Sequence, residues 1–116
     1  MKRFKDTKYG DLSGKIFKGN LKINNMNLIS LEGCPKEVNG DFDCSRNKLK
    51  TMKCQSIIFG GFLCNYNNLT ALDFTHLTIH THLNCSNNLL KSLKNVPNKI
   101  GPPAATIIDI RKTPGP

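Results

Sequence analysis

Tryptophan is absent, and two tyrosines and six phenylalanines supply all the aromatic surface. A platform that stacks several nucleotide bases has little to be built from. Acidic residues are also scarce: eight Asp and Glu stand against seventeen Lys and Arg, a net charge of +9. The close pair Asp41 and Asp43 has no second carboxylate group placed to converge on it, and no glycine loop of the phosphate-cradling type occurs. No enzymatic activity and no cofactor are therefore expected. No stretch approaches the roughly 18 apolar residues of a membrane helix. The N-terminus, MKRFKDTKYGDLSGKIF, is basic but lacks the apolar segment of a secretory signal. The expected location is cytoplasmic, with no membrane association. The cysteines number five and include no CxxC pair, so a disulfide framework is not expected. Apolar residues make up 38%, below the usual ~45–50%, which points to a thin core in a single domain.

What the chain does have is repetition. LKINNMNLISL (21–31), FDCSRNKLKTM (42–52), FLCNYNNLTAL (62–72) and LNCSNNLLKSL (83–93) share one pattern, apolar-x-apolar-x-x-Asn-x-apolar-x-x-apolar. Only Met26, in the Asn slot of the first unit, departs from it. The first apolar column is Leu21, Phe42, Phe62 and Leu83; the second is Ile23, Cys44, Cys64 and Cys85. Alternation of apolar and other residues is a period-2 signal, so each unit is predicted to hold one short strand, near 20–24, 41–45, 61–65 and 82–86. A unit this short cannot bury its apolar side alone, and stacking the units in parallel gives a continuous core. The Asn column falls at a turn, where an amide can satisfy backbone N–H and C=O groups or bond the next Asn.

The run LxLxxNxLxxL resembles the leucine-rich-repeat signature. SLEGCPKEVNGDFDCSRNKL and the opening YGDLSGKIFKGNLKINNMNLISLEGCP resemble the small repeat proteins of large tailed bacteriophages. The likeness covers about residues 9–101 and implies a β-rich solenoid of about four units with one short parallel strand each. The expected organisation is a basic N-terminal cap (1–18), a solenoid (19–101, with units 19–39, 40–60, 61–80 and 81–101), and a C-terminal cap strand with a disordered tail (102–116). Ile16 and Phe17 are the residues expected to cover the first unit, and ATIIDI (105–110) the strand at the other end, or an edge that pairs with another chain. The third unit departs from the family pattern: DFTHLTIHTH stands where Gly-Cys-Pro would follow.

Four features carry candidate chemistry. Cys44, Cys64 and Cys85 lie on neighbouring strands with parallel side chains, and read as small buried hydrophobes. Cys34 and Cys54 fall outside that column and are expected to be more exposed. His80 and His82 share a face if their segment is a strand, with His76 nearby, but a tetrahedral metal site would need further ligands; a polar return loop is the plainer reading. The exposed strand face offers Lys22, Asp43, Leu63 and Asn84, flanked by Asn24, Ser45, Asn65 and Ser86, then by Asn25, Arg46, Tyr66 and Asn87. Leu63, Tyr66 and Arg46 form a candidate anchor cluster on it. Finally, Lys48, Lys50, Lys53, Lys91 and Lys94 project from one side of their units, as a nucleic-acid contact or as solvated surface.

The leading expectation is a non-enzymatic protein-binding module, phage-encoded by resemblance and directed at a host or phage protein, monomeric or weakly self-associating. A nucleic-acid-associated basic factor and a structural or assembly protein are the alternatives.

Overall fold

In a chain that alternates apolar and polar residues, every second side chain can enter a core while the backbone pairs on both sides. The computed structural model describes residues 2–51, 53, 56–70 and 77–90, and the backbone of 108 and 109. It contains, among those residues, one 3-10 turn (Phe4–Asp6) and two-residue strands β1 (Ile16–Phe17), β2 (Leu21–Lys22), β3 (Glu37–Val38), β4 (Phe42–Asp43), β5 (Ile57–Ile58), β6 (Phe62–Leu63), β7 (Thr78–Ile79), β8 (Leu83–Asn84) and β9 (Ile108–Asp109).

The strands predicted from the repeat pattern are β2, β4, β6 and β8. They pair in parallel, with Leu21 beside Phe42, Phe42 beside Phe62, and Phe62 beside Leu83. These are the members of the first apolar column. β9 continues this sheet beyond β8, with Ile108 beside Leu83, so ATIIDI contributes an end strand. The tail after Asp109 and all of 91–107 lie outside the described residues.

The expectation of one strand per unit is corrected. β1, β3, β5 and β7 form a second parallel sheet in the order of the chain. Phe17, Val38, Ile58 and Ile79 are its register partners. The inward residues Phe17, Val38, Ile58 and Ile79 are followed two positions on by Gly19, Gly40, Gly60 and Thr81, so no second apolar column shows alternation in the sequence, and stacking between units supplies the partners. β7 keeps register with β5, so 77–82 makes a regular return despite its unusual sequence; residues 71–76 lie outside the described residues. The two sheets, each stacked strand on strand, are those of a repeat stack.

The core lies between the sheets. Leu21, Phe42, Phe62 and Leu83 from one sheet and Val38, Ile58 and Ile79 from the other are buried. Ile23, Cys44, Cys64 and Cys85 and a further row, Leu28, Leu49, Leu69 and Leu90, complete it. The Phe42 and Phe62 rings meet edge to face at 5.4 Å and 82°. Such a pair adds about 0.5–1.5 kcal/mol beyond the area it buries.

The first unit is closed by Phe4 and not by Ile16, which is half exposed. Phe4 is fully buried, 6.5 Å edge to face from Phe42 and 6.1 Å from the Tyr9 ring, which in turn meets Phe17 at 5.7 Å. A 3-10 turn, which period-2 reading does not detect, turns this phenylalanine inward. The cap runs beside 29–32: Phe4 N–H donates to Ser30 C=O and Lys5 N–H to Glu32 C=O. Ion pairs Arg3–Asp6 (2.9 Å) and Lys5–Glu32 (2.7 Å) lie outside it. Hydrogen bonding from Arg3 holds the Asp6 carboxyl down at about 2, and the Lys5 ammonium lowers that of Glu32. These exposed pairs orient the cap and add little stability.

Gly33 makes this approach possible. Its φ is +97°, and a Cβ there would lie 2.6 Å from Lys5 Cβ. Gly33→Ala is expected to cost about 1–3 kcal/mol through strained backbone and a displaced cap. Urea unfolding would measure it, and a loss below about 0.5 kcal/mol would mean that the cap contact does not matter to the fold.

Candidate functional site

Each strand of the longer sheet must end in a turn that leaves several backbone groups without ladder partners. The Asn column answers this need. Asn47 Nδ2 donates to the C=O groups of Ile23 (2.9 Å), Cys44 (2.9 Å) and Ser45 (3.2 Å). Its Oδ1 accepts from the N–H groups of Met26 (2.9 Å) and Leu28 (3.0 Å). Asn67 and Asn88 repeat the arrangement one and two units on. Every amide bond seen in this column runs to backbone, so the stacked Asn residues couple units through the main chain and not by bonding one another.

The same turn places a matching residue of each unit in the left-handed region: Asn25 (φ +56°), Arg46 (+54°), Tyr66 (+57°) and Asn87 (+56°). The first unit adds a second, Asn27 (φ +56°). Asn enters this region at low cost, whereas a side chain such as Arg or Tyr is disfavoured there by roughly 1–2 kcal/mol. The two central units therefore carry the unfavourable residues. Both are exposed, and the Arg46 guanidinium lies over the Tyr66 ring at 4.1 Å from its centroid. A contact of this kind at an exposed site returns about 0.5–1 kcal/mol.

The rest of the expected face divides. Lys22 is exposed, and Asn87 is half-buried. Leu63 is half-buried instead of solvent-facing, so it is a shoulder beside Tyr66 and not a free anchor. Asp43 and Asn84 are partly committed to local structure. Asp43 Oδ1 accepts from Ser45 N–H and Oγ–H, at 3.0 and 2.6 Å, and Asn84 Oδ1 from the matching atoms of Ser86, at 3.1 and 2.8 Å. Lys48, Lys50 and Lys53 are all exposed; Lys91 and Lys94 lie outside the described residues.

The histidines do not share a face. His80 follows β7 and stacks on Phe59 at 4.7 Å, whereas His82 precedes β8 and sits over Gly61, where a Cβ would strike its ring. A turn separates them, and His76 lies outside the described residues. No group of three His, Cys, Asp or Glu among the described residues is placed to hold a metal ion. Burial pushes the thiols of Cys44 and Cys64 well above the ordinary cysteine range, which leaves them poor nucleophiles. Cys34 is half-buried and not exposed, its Sγ 3.9 Å from Ser56 Oγ; Cys54 lies outside the described residues. No helix among the described residues is long and apolar enough to cross a membrane.

One surface escaped sequence reading. Ile57 and Phe59 are exposed on the outer side of the second sheet, 41% and 45%, with His80 stacked on Phe59. The i, i+2 spacing in SIIFGG carries this signal, but the strand beneath it was not foreseen.

No family model, no curated protein and no solved structure matches the chain.

Proposed function

We propose that the chain is a non-enzymatic binding module, a short leucine-rich-repeat-like solenoid that takes a protein partner on its strand face. Arg46 and Tyr66 are its anchors. The observation that carries this reading is their backbone: two bulky side chains occupy left-handed positions where the flanking units use Asn. Strain held at exposed residues is a mark of use, since packing gives no reason for it. Tyr and Arg are also the side chains that dominate contact energetics at protein interfaces. Together with the resemblance to phage repeat proteins, this favours a host or phage protein as the partner. The five strands of this sheet span only about 19 Å, so the contact is small, at or below ~800 Å² on each side.

The test is capture from bacterial lysate, with and without nuclease, at about 0.3 M salt, where exposed charge attraction is strongly screened. Intact protein is compared with Tyr66→Asn and Phe59→Ala. Tyr66→Asn relieves backbone strain, so it is expected to hold or raise stability by up to ~1 kcal/mol while abolishing capture. Phe59→Ala, on the other sheet, is expected to leave capture intact. Capture unchanged by Tyr66→Asn would refute the strand face as the site. Material released by nuclease alone would replace this reading with a nucleic-acid one.

A further inference from the structure

The cations of the second unit point to the chemistry of that partner. Along 46–50 exposed and buried positions alternate: Arg46, Lys48 and Lys50 are exposed, Asn47 and Leu49 buried. The three cations therefore leave the same side of the chain, in two-residue steps of at most about 7 Å. The ion pairs found among the described residues, Arg3–Asp6, Arg3–Glu32 and Lys5–Glu32, all belong to the N-terminal cap, so none neutralises this row. The units on either side are uncharged at the matching positions. Asn27 and Ile29 precede the row, and Asn68 and Thr70 follow it, in a register fixed by Lys48 N–H to Leu28 C=O and Asn68 N–H to Leu49 C=O.

The result is a single file of positive charge bordered by amides. A duplex, with two phosphate lines, calls for two such files. A single nucleic-acid strand calls for stacking surfaces, and Tyr66 already shares its ring with Arg46. The bordering Asn25, Asn27 and Asn68 offer donors and acceptors together, which complements a peptide backbone. A phosphodiester backbone offers acceptors alone. We propose that the bound segment is an extended acidic stretch of polypeptide, with alternate Asp or Glu side chains on Arg46, Lys48 and Lys50. This rests on the protein-binding reading above and names the chemistry it recognises.

Fluorescence anisotropy of the intact protein would test it with three labelled probes of about twelve units each, at about 0.05 M salt so that charge attraction is weakly screened. These are an alternating Glu-Thr peptide, a Gln-Thr peptide and an oligothymidylate. The Glu-Thr peptide is expected to bind about tenfold or more tighter than either of the others. The Lys48→Glu/Lys50→Glu variant is expected to lose that binding by about tenfold or more, and Phe59→Ala to retain it. Three results would overturn the proposal: no binding of the Glu-Thr peptide, equal or tighter binding of the oligothymidylate, or indifference to the charge reversals. Repeating the lysate capture with the charge-reversed variant at about 0.05 M salt, with nuclease present, separates the two levels. Capture lost with Tyr66→Asn but kept by the charge reversals leaves a protein-binding face whose partner is not acidic. Capture kept by both variants removes both readings.

Discussion

Asn47→Ala is expected to cost the fold about 3–5 kcal/mol, one of the two largest effects available in this chain. The amide removed is buried and serves five backbone groups, two N–H and three C=O, drawn from its own turn and from the preceding unit. Each buried backbone group left unpaired costs about 1–3 kcal/mol, and water entering the vacated space recovers part of the sum. A typical domain has only about 5–15 kcal/mol in total. The variant should therefore unfold at a much lower urea concentration than the parent. Urea unfolding followed by circular dichroism reads this directly. Asn68→Ala, at the exposed next-door Asn of the following unit, is the control and should stay within about 0.5 kcal/mol of the parent. Equal losses at the two positions would refute the idea that the amide ladder, and not Asn in general, holds the units together.

Phe42→Ala should cost a similar amount, about 3–5 kcal/mol, for a different reason. Phe42 has no exposed surface and touches a ring on each side, Phe4 at 6.5 Å and Phe62 at 5.4 Å. Truncation opens a cavity between two units, where β2 and β6 pin the backbone of β4 from both edges and prevent collapse. Phe4→Ala removes a ring of equal size from an end that can fray and repack, so its loss should be smaller by about 1–2 kcal/mol. The comparison is made by urea midpoints with the slope held common. If Phe4→Ala proved the more damaging, the cap would be the nucleus of the fold and not its lid.

Much of this architecture can be read from the amino acids because the strand columns repeat. A substitution rule obeyed by Leu21, Phe42, Phe62 and Leu83 fixes both register and inward face. The Asn column was legible for the same reason, although which groups it bonds was not: amide geometry depends on how closely units approach. The second sheet was missed because its inward residues have no apolar partner two positions on: Gly40 follows Val38 where Cys44 follows Phe42. Phe4 was missed because its burial depends on a single 3-10 turn and on Gly33 permitting contact. At the candidate site, the positions of Arg46 and Tyr66 were evident from their column, but neither the left-handed backbone nor the stacking of one on the other was. Those depend on the turn geometry imposed by the buried Asn beside them.

The pairing of each strand with the next unit alone has a bearing on how such a chain can change over generations. Leu21 meets Phe42, Phe42 meets Phe62 and Phe62 meets Leu83, so no contact between strands in this series joins the first unit to the last. A duplication or loss of one whole unit leaves the surviving junctions of the same kind as before. A change of part of a unit throws its apolar columns onto the wrong side. Length in this molecule is therefore free to vary in whole steps, and the face that meets a partner can be widened or narrowed without inventing a new core.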